Sequence, residues 1–324
     1  ARAYEELNNK EKARSAFFRA SRLDFDKVIQ EEAWLSYTRL SYELDFNAQA
    51  LESVQAFIKQ FPSSKKINEA RVLQGEILLT SKNYQTAIDI LEPLPNKTPE
   101  AKEAYQKATY FRGLEYYNER AFPNALSMFL RSGNFPQDSE IHALSVYWMA
   151  ESMYELRKYG EAVKTFEKFL AMPAAQKTDV YNFANYALGY SAFEDEKYTK
   201  AANYFEKFLN GNDKDAKTVT DATIRLADSY FVNKNYRDAM VYYNKIINGK
   251  LTGEDYALFQ RGMIQGLEKQ DDAKITTMQS LLSKFPNSNY ADDAGFETAY
   301  TYFNKGDFDK SKSDLVDLVA KYPR

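Results

Sequence analysis

The chain repeats itself with a period near 37 residues, and this periodicity constrains its fold more than any other feature. The repeat is marked by an alanine that follows an aromatic residue and two further residues, as in residues 159–162, 198–201 and 236–239. A period of this length indicates a short supersecondary unit that buries its apolar face only by stacking on its neighbours. We call the marked positions anchors, and they are Ala13, Ala50, Ala87, Ala125, Ala162, Ala201, Ala239, Lys274 and Ser311.

Residues at fixed distances from the anchor predict an antiparallel pair of helices in each unit. Twelve residues before the anchor lies the small position, which is Gly or Ala in eight of the nine units, as at Gly113 and Gly189. Four residues after the anchor the side chain is always large and apolar or aromatic. Small residues allow two helices to cross closely, and the large residue lies one turn beyond the anchor on the same face. We therefore expect eighteen helices in nine pairs and no sheet, with turns near 8–10, 82–83, 119–120, 157–158, 196, 234 and 305–306.

Proline indicates where several units end. Pro62, Pro99, Pro286 and Pro323 each lie twelve residues after an anchor, where they are expected to terminate the second helix. Because the chain starts at a small position, we expect it to be a fragment of something longer. The predicted arrangement is one solenoid over 1–324 with units at about 1–24, 25–62, 63–99, 100–137, 138–174, 175–213, 214–250, 251–286 and 287–324.

The motif formed by these positions resembles the tetratricopeptide repeat. Gly113, Tyr116, Ala125 and Phe129 match its pattern of a small residue, Tyr, Ala and an aromatic residue, and so does the stretch 227–243. The resemblance covers essentially the whole chain and implies an all-α, right-handed superhelical solenoid of about nine repeats. The sequence departs from the commonest form in its period of 35–39 residues, which predicts longer second helices or connectors, and in Lys274 and Ser311, which replace the anchor alanine.

The long period and the connectors are similar to those of bacterial envelope members of this family. Connectors of the type Phe-Pro-x-Ser occur at 61–64 and 285–288. They resemble those of the outer-membrane-assembly lipoprotein and of the cell-division coordinator of the Tol system, and the richness in Tyr, Asn and Lys resembles Bacteroides-type proteins. This resemblance implies a periplasmic or outer-membrane-associated location and membership of an envelope complex.

Composition argues against several other classes of function. The net charge is -3, which is unlike the basic surface of a nucleic-acid-binding protein. Cysteine is absent and His142 is the only histidine, so neither a Cys nucleophile nor a typical zinc site is expected. No Walker or dinucleotide motif is present, and no apolar stretch is long enough to span a membrane. We therefore predict that the chain is not an enzyme and has no catalytic, cofactor-binding or metal-binding residues.

The predicted function is a scaffold that binds protein or peptide segments in an aromatic groove. In the family, the first helix of each unit lines the concave side at positions three before, one after and four after the small position. Carboxylates Glu151 and Asp228 would favour a partner with basic or amide groups. Aromatic residues at the outer two positions also fit plain packing between repeats, and an aromatic surface also suits carbohydrate or a surface polymer, which is the alternative function. The predicted groove residues are Leu114, Tyr147, Tyr154, Tyr186, Tyr190, Phe193, Asp228, Phe231, Met263 and Tyr300.

Overall fold

The chain is helical throughout the residues that its computed structural model describes, which are 1–212 and 215–322. These residues form eighteen α-helices and one 3₁₀ turn, Pro173–Lys177, without any strand, which confirms the all-α prediction. Pro323, predicted to end the last helix, lies outside them. The helices are α1 Arg2–Glu6, α2 Lys10–Ser21, α3 Lys27–Glu43, α4 Asn47–Gln60, α5 Ile67–Thr80, α6 Tyr84–Leu91, α7 Pro99–Asn118, α8 Phe122–Gly133, α9 Ser139–Glu155, α10 Tyr159–Leu170, α11 Tyr181–Glu194, α12 Tyr198–Leu209, α13 Ala216–Val232, α14 Tyr236–Gly249, α15 Glu254–Leu267, α16 Asp271–Lys284, α17 Ala291–Asn304 and α18 Phe308–Lys321.

The helices belong to two compact units. Unit 1 is Ala1–Thr178 and holds α1 to α10, and unit 2 is Asp179–Arg324 and holds α11 to α18. Within each unit, odd-numbered and even-numbered helices pair as hairpins, and each second helix also packs on the first helix of the following hairpin. In the described residues, no helix is long and apolar enough to cross a membrane.

Every hairpin turns through one residue in the left-handed conformation, five residues before the anchor. That residue is Gly306 in the last hairpin and a polar or charged residue in the other eight, such as Asp45, Arg157 and Lys269. The next backbone N–H then bonds to the carbonyl five residues earlier, as in Lys158 N to Met153 O at 2.8 Å. This Schellman-type bond satisfies a free carbonyl at the end of the first helix. The turns lie where the repeat spacing predicted them.

The small position is explained by a close contact with the residue four past the anchor. A Cβ added to Gly113 would lie 2.6 Å from Cε1 of Phe129, which is closer than real Cβ atoms approach other heavy atoms. The same holds for Gly75 against Leu91, which a Cβ would meet at 2.8 Å. The anchor alanines of the first seven hairpins are fully buried. The glycine therefore accommodates the large residue of the second helix.

Pro99 does not end a helix, contrary to the sequence prediction. The second helix of that hairpin, α6, ends at Leu91, and Pro99 is instead the first residue of α7, where its missing N–H is not needed. Thr98 caps this helix by accepting from Ala101 N at 3.3 Å. The early start makes α7 20 residues long, whereas α4, α14, α16 and α18 have 14 residues each. The second helix α6 is short, with eight residues, so the extra length after this anchor lies in the connector 92–98 and in the early start of α7 rather than in a longer second helix.

Candidate partner-binding surface

The first helices of neighbouring hairpins share one side of each unit. Contacts join α3 to α5, α5 to α7 and α7 to α9 in unit 1, and α11 to α13 in unit 2. We call the side formed by the three predicted positions on the first helices of each unit, α15 and α17 included, the first-helix surface. All ten predicted groove residues lie on it, and their exposure decides which of them a partner can reach.

In unit 1 the predicted aromatic residues pack among themselves. Tyr147 is buried, with its ring edge-on to Phe166 and Phe169 at centroid distances of 5.7 and 5.4 Å. Leu114 is half-buried against the cluster around Phe129. A partner can therefore touch Leu114, whereas Tyr147 belongs to the core.

Glu151, predicted to select basic partners, is enclosed by tyrosines. Its Oε2 lies 3.4 Å from Tyr117 OH, while Oε1 is buried and has no hydrogen-bond partner in the described residues. Burial raises the pKa of Glu151, and repulsion by Glu155 raises it further, whereas the hydroxyl of Tyr147 lowers it. A partner cannot reach Oε1 without rearrangement, so the main effect of Glu151 is on the stability of this surface.

In unit 2 a hydrogen-bonded chain links the first helices α11 and α13. The hydroxyl of Tyr186 donates to Asp221 Oδ2 at 2.8 Å, and that of Tyr190 donates to the same oxygen. Arg225 Nε donates to Tyr190 OH at 3.0 Å. Both tyrosines are half-buried, so their ring faces remain part of the surface while their hydroxyls are already engaged.

Asp228, a predicted groove residue, continues this chain. It is buried, its Oδ1 accepts from Tyr243 OH at 2.7 Å and Tyr256 OH at 2.8 Å, and its Oδ2 accepts from Arg225 at 3.0 Å. Burial raises the pKa of Asp228, and these three donors oppose that rise. The carboxylate serves to join α13, α14 and α15.

The aromatic residues four after the small position pack inside their own hairpins. Each faces an aromatic residue three before the anchor, with centroid distances of 5.5 Å for Tyr154–Tyr159, 5.2 Å for Phe193–Tyr198 and 5.8 Å for Phe231–Tyr236. For Tyr154, Phe193 and Phe231 these contacts support the packing interpretation that the sequence left open.

The most open part of the predicted surface lies on α17. Tyr300 is 50% exposed, and its ring is parallel to that of Phe296 at 6.1 Å. Phe303, one turn later on the same helix, is 54% exposed. Met263 on α15 is half-buried. Such contiguous exposed aromatic area is typical of interaction surfaces.

Unit 1 also contains a cavity of about 400 Å³ that the sequence did not predict. Arg39 and Glu76, which each follow a small position, lie in its wall with the loop between α6 and α7. The early start of α7 at Pro99 brings Glu100 and Ala101 into the same wall. The only sequence signal for this site was the Thr98-Pro99 pair, whose meaning depends on where α6 ends.

Family models for the tetratricopeptide repeat match this chain at residues 147–217, 256–288 and 293–324. The chain contains tetratricopeptide repeats. Among the curated proteins no sequence matches it.

Two solved structures share the fold at low sequence identity, and a third has a lower structural similarity. The C-terminal part of a repeat-containing protein from Cytophaga hutchinsonii is 15% identical, with a TM-score of 0.53 over 78% of this chain and 95% of that chain. In the Naa15/Naa10 complex bound to HypK-THB, a chain that is 14% identical has a TM-score of 0.56 over 91% of this chain and 43% of that chain. YrrB, described as a tetratricopeptide protein with an unusual peptide-binding site, is 19% identical over 60% of this chain and 92% of its own, with a TM-score of 0.46.

Tetratricopeptide repeats generally mediate protein–protein interactions and typically form non-enzymatic scaffolds. This supports the general class predicted from the sequence. The comparisons do not support the carbohydrate-binding alternative.

Proposed function

We propose that the chain is a scaffold that binds an extended or helical segment of a partner protein along the first-helix surface of unit 2. Half-exposed Tyr300 and its parallel neighbour Phe296 carry this proposal, because a solvated helix face favours polar residues at such positions. Tyr190 on α11 and Met263 on α15 occupy the equivalent position of their repeats and are half-buried. Rigid aromatic side chains provide large contact area at a small entropic cost.

Site-specific photo-crosslinking tests the location of binding. A benzophenone amino acid is placed at position 300, or at position 241 on the second helix α14 as a control, and the protein is expressed in its native host. Val241 is 49% exposed and therefore matches Tyr300 in accessibility. We expect a discrete polypeptide adduct from position 300 and none from position 241.

Affinity then tests the role of the ring. The segment identified by crosslinking is synthesised, and its affinity is measured for the parent protein, for Tyr300→Ala and for Val241→Ala. Loss of an aromatic contact should weaken binding by about tenfold or more. Equal affinity for the parent and Tyr300→Ala, or adducts from both crosslinking positions, would reject this surface as the binding site.

We propose further that this scaffold works in a bacterial cell envelope, as a subunit of an assembly or transport complex. The proposal is supported by the long repeat period and by the connectors at 61–64 and 285–288. Fractionation of native cells tests it: the chain should be recovered with periplasm or outer membrane, and recovery with cytosolic markers would contradict it.

A further inference from the structure

We propose that the cavity in unit 1 binds a positively charged group of the partner segment, with its apolar wall holding an aliphatic stem and Glu76 receiving the cationic head. The inference rests on the proposed function in that it assumes a protein partner. It concerns a different unit of the chain, so the two proposals can fail separately.

The cavity has the size and the mixed wall that such a side chain requires. Its volume of about 400 Å³ lies within the range of ~300–1,000 Å³ typical of ligand pockets. The apolar part of the wall is Val72, Leu73, Leu94, Pro95 and Ala101. Lysine and arginine bury their methylene stems against apolar surface while the charged end seeks a polar partner.

The two cations that line the cavity already have partners. Arg39 pairs with Glu69 at 2.6 Å. The Nζ of Lys97 donates to the carbonyl oxygens of Glu92 and Leu94 at 2.7 and 3.1 Å. Neither is held by the carboxylate of Glu76.

Glu76 is the half-buried carboxylate that lacks a cation in contact with it. Among the described residues its side chain makes no hydrogen bond or ion pair within contact distance, although Arg39 and Lys107 act on it from farther away. Burial raises the pKa of Glu76, and repulsion by Glu100 and Glu103 raises it further. An incoming ammonium or guanidinium group would relieve that repulsion and donate hydrogen bonds to the carboxylate of Glu76.

An organic cation fits this wall better than a metal ion. Among the described residues, no group of three or more His, Asp or Glu side chains is placed to hold a metal. The apolar wall would leave a hydrated ion without ligands on one side. The cation can come from Lys, from Arg or from a free amino terminus, and the same chemistry recognises all three.

Short peptides of defined sequence test the cavity directly by titration calorimetry at low salt. Four probes are used: Ala-Ala-Xaa-Ala-Ala blocked at both ends with Xaa as Lys, Arg or norleucine, and penta-alanine with a free amino terminus. At least one cationic probe should bind about tenfold more tightly than the norleucine peptide. The tightest of the three cationic probes identifies the source of the charge.

Two variants and a control establish that the cavity is responsible. Glu76→Gln should lower the affinity of the best cationic probe to that of the norleucine peptide. Glu119→Gln, an exposed change at the end of α7, should leave that affinity unchanged. Val72→Phe fills the apolar wall without changing charge, so it should weaken every probe that binds there. Circular dichroism checks that each variant is folded.

Equal binding of the norleucine and cationic probes, or an unchanged preference in Glu76→Gln, would overturn the proposal. Equal losses of affinity for the cationic probe in Glu76→Gln and Glu119→Gln would also overturn it, because the effect would then come from net charge. If the cationic preference is absent while Tyr300→Ala still weakens the crosslinked segment, only the cavity proposal fails. If the preference is present and Tyr300→Ala has no effect, only the unit 2 surface fails.

Discussion

Lys274 on α16 lies directly over Gly266 on α15: its Cδ is 3.0 Å from the position that a Cβ on Gly266 would occupy. In most other hairpins the arrangement is reversed, with alanine at the anchor and a large residue four after the small position, as in Ala201 with Phe193. The buried lysine stem thus takes the place of the missing large side chain. Its ammonium group pairs with Glu297 on α17 at 2.6 Å.

Because the large and small residues are exchanged between positions 274 and 266, we expect the effects of substitutions at these two positions on stability to be strongly coupled. Gly266→Phe should overpack the hairpin and destabilise it by ~1–3 kcal/mol, and Lys274→Ala should leave a void and an unpaired Glu297. The double variant recreates the side-chain sizes found in other hairpins. Its loss of unfolding free energy should therefore be smaller than the sum of the two single losses by ~0.5–3 kcal/mol. Urea unfolding of the four proteins measures the coupling, and strictly additive losses would show that the two side chains do not replace each other.

Gly189 should not tolerate a methyl group. A Cβ there would lie 2.8 Å from Cδ1 of Phe205, which is fully buried. Although alanine favours a helix by ~1 kcal/mol over glycine, we expect Gly189→Ala to lower the melting temperature. Gly133 on α8 is the control, because a Cβ there would meet nothing within 4 Å. Gly133→Ala should be neutral or stabilising, and the same response from both glycines would contradict the contact.

Ala201 should likewise resist enlargement. It is fully buried between α11 and α12, and Ala201→Leu should cost ~1–3 kcal/mol by overpacking. Because each repeat depends mainly on its neighbours, hydrogen exchange should accelerate in the helices around α12 rather than evenly over unit 2. Ala48→Leu, at an exposed position of α4, provides the comparison. Uniformly faster hydrogen exchange over all helices of unit 2 would instead show that unit 2 unfolds as one cooperative unit.

Glu151 should make stability depend on pH in a predictable direction. Burial raises its pKa in the folded state, so its contribution is fully present below the ordinary carboxyl value of ~4.3 and is lost as pH rises through the raised value. Glutamine stays neutral, and Glu151→Gln should therefore melt above the parent protein at pH 7 and close to it at pH 4. Glu119→Gln should show no such divergence. A variant that melts below the parent at pH 7 would mean that the charged form is stabilised in the fold.

The sequence predicted the helices and turns because these depend on local spacing. Proline placement alone was ambiguous, since Pro99 begins α7 while Pro62 and Pro286 follow α4 and α16. The burial of Asp228 was hidden for a different reason: one of its partners, Tyr256, lies on α15 in the following repeat, and no spacing within one repeat reveals that contact. The cavity beside Glu76 requires three helices and a loop together, so it is visible only in the assembled fold.

Because all the hairpins share one turn geometry, one repeat can take the place of another at a turn. Phe122 and Tyr159 occupy the same place in their repeats, each following a left-handed residue by two positions, Arg120 and Arg157. Excision of residues 122–158 would join Ala121 to Tyr159 and bring Phe166 against Gly113, where Phe129 now lies. Phe166 would then replace Phe129 in the same contact with Gly113. A whole repeat should therefore be removable at this turn, with the junction keeping the geometry that it has now.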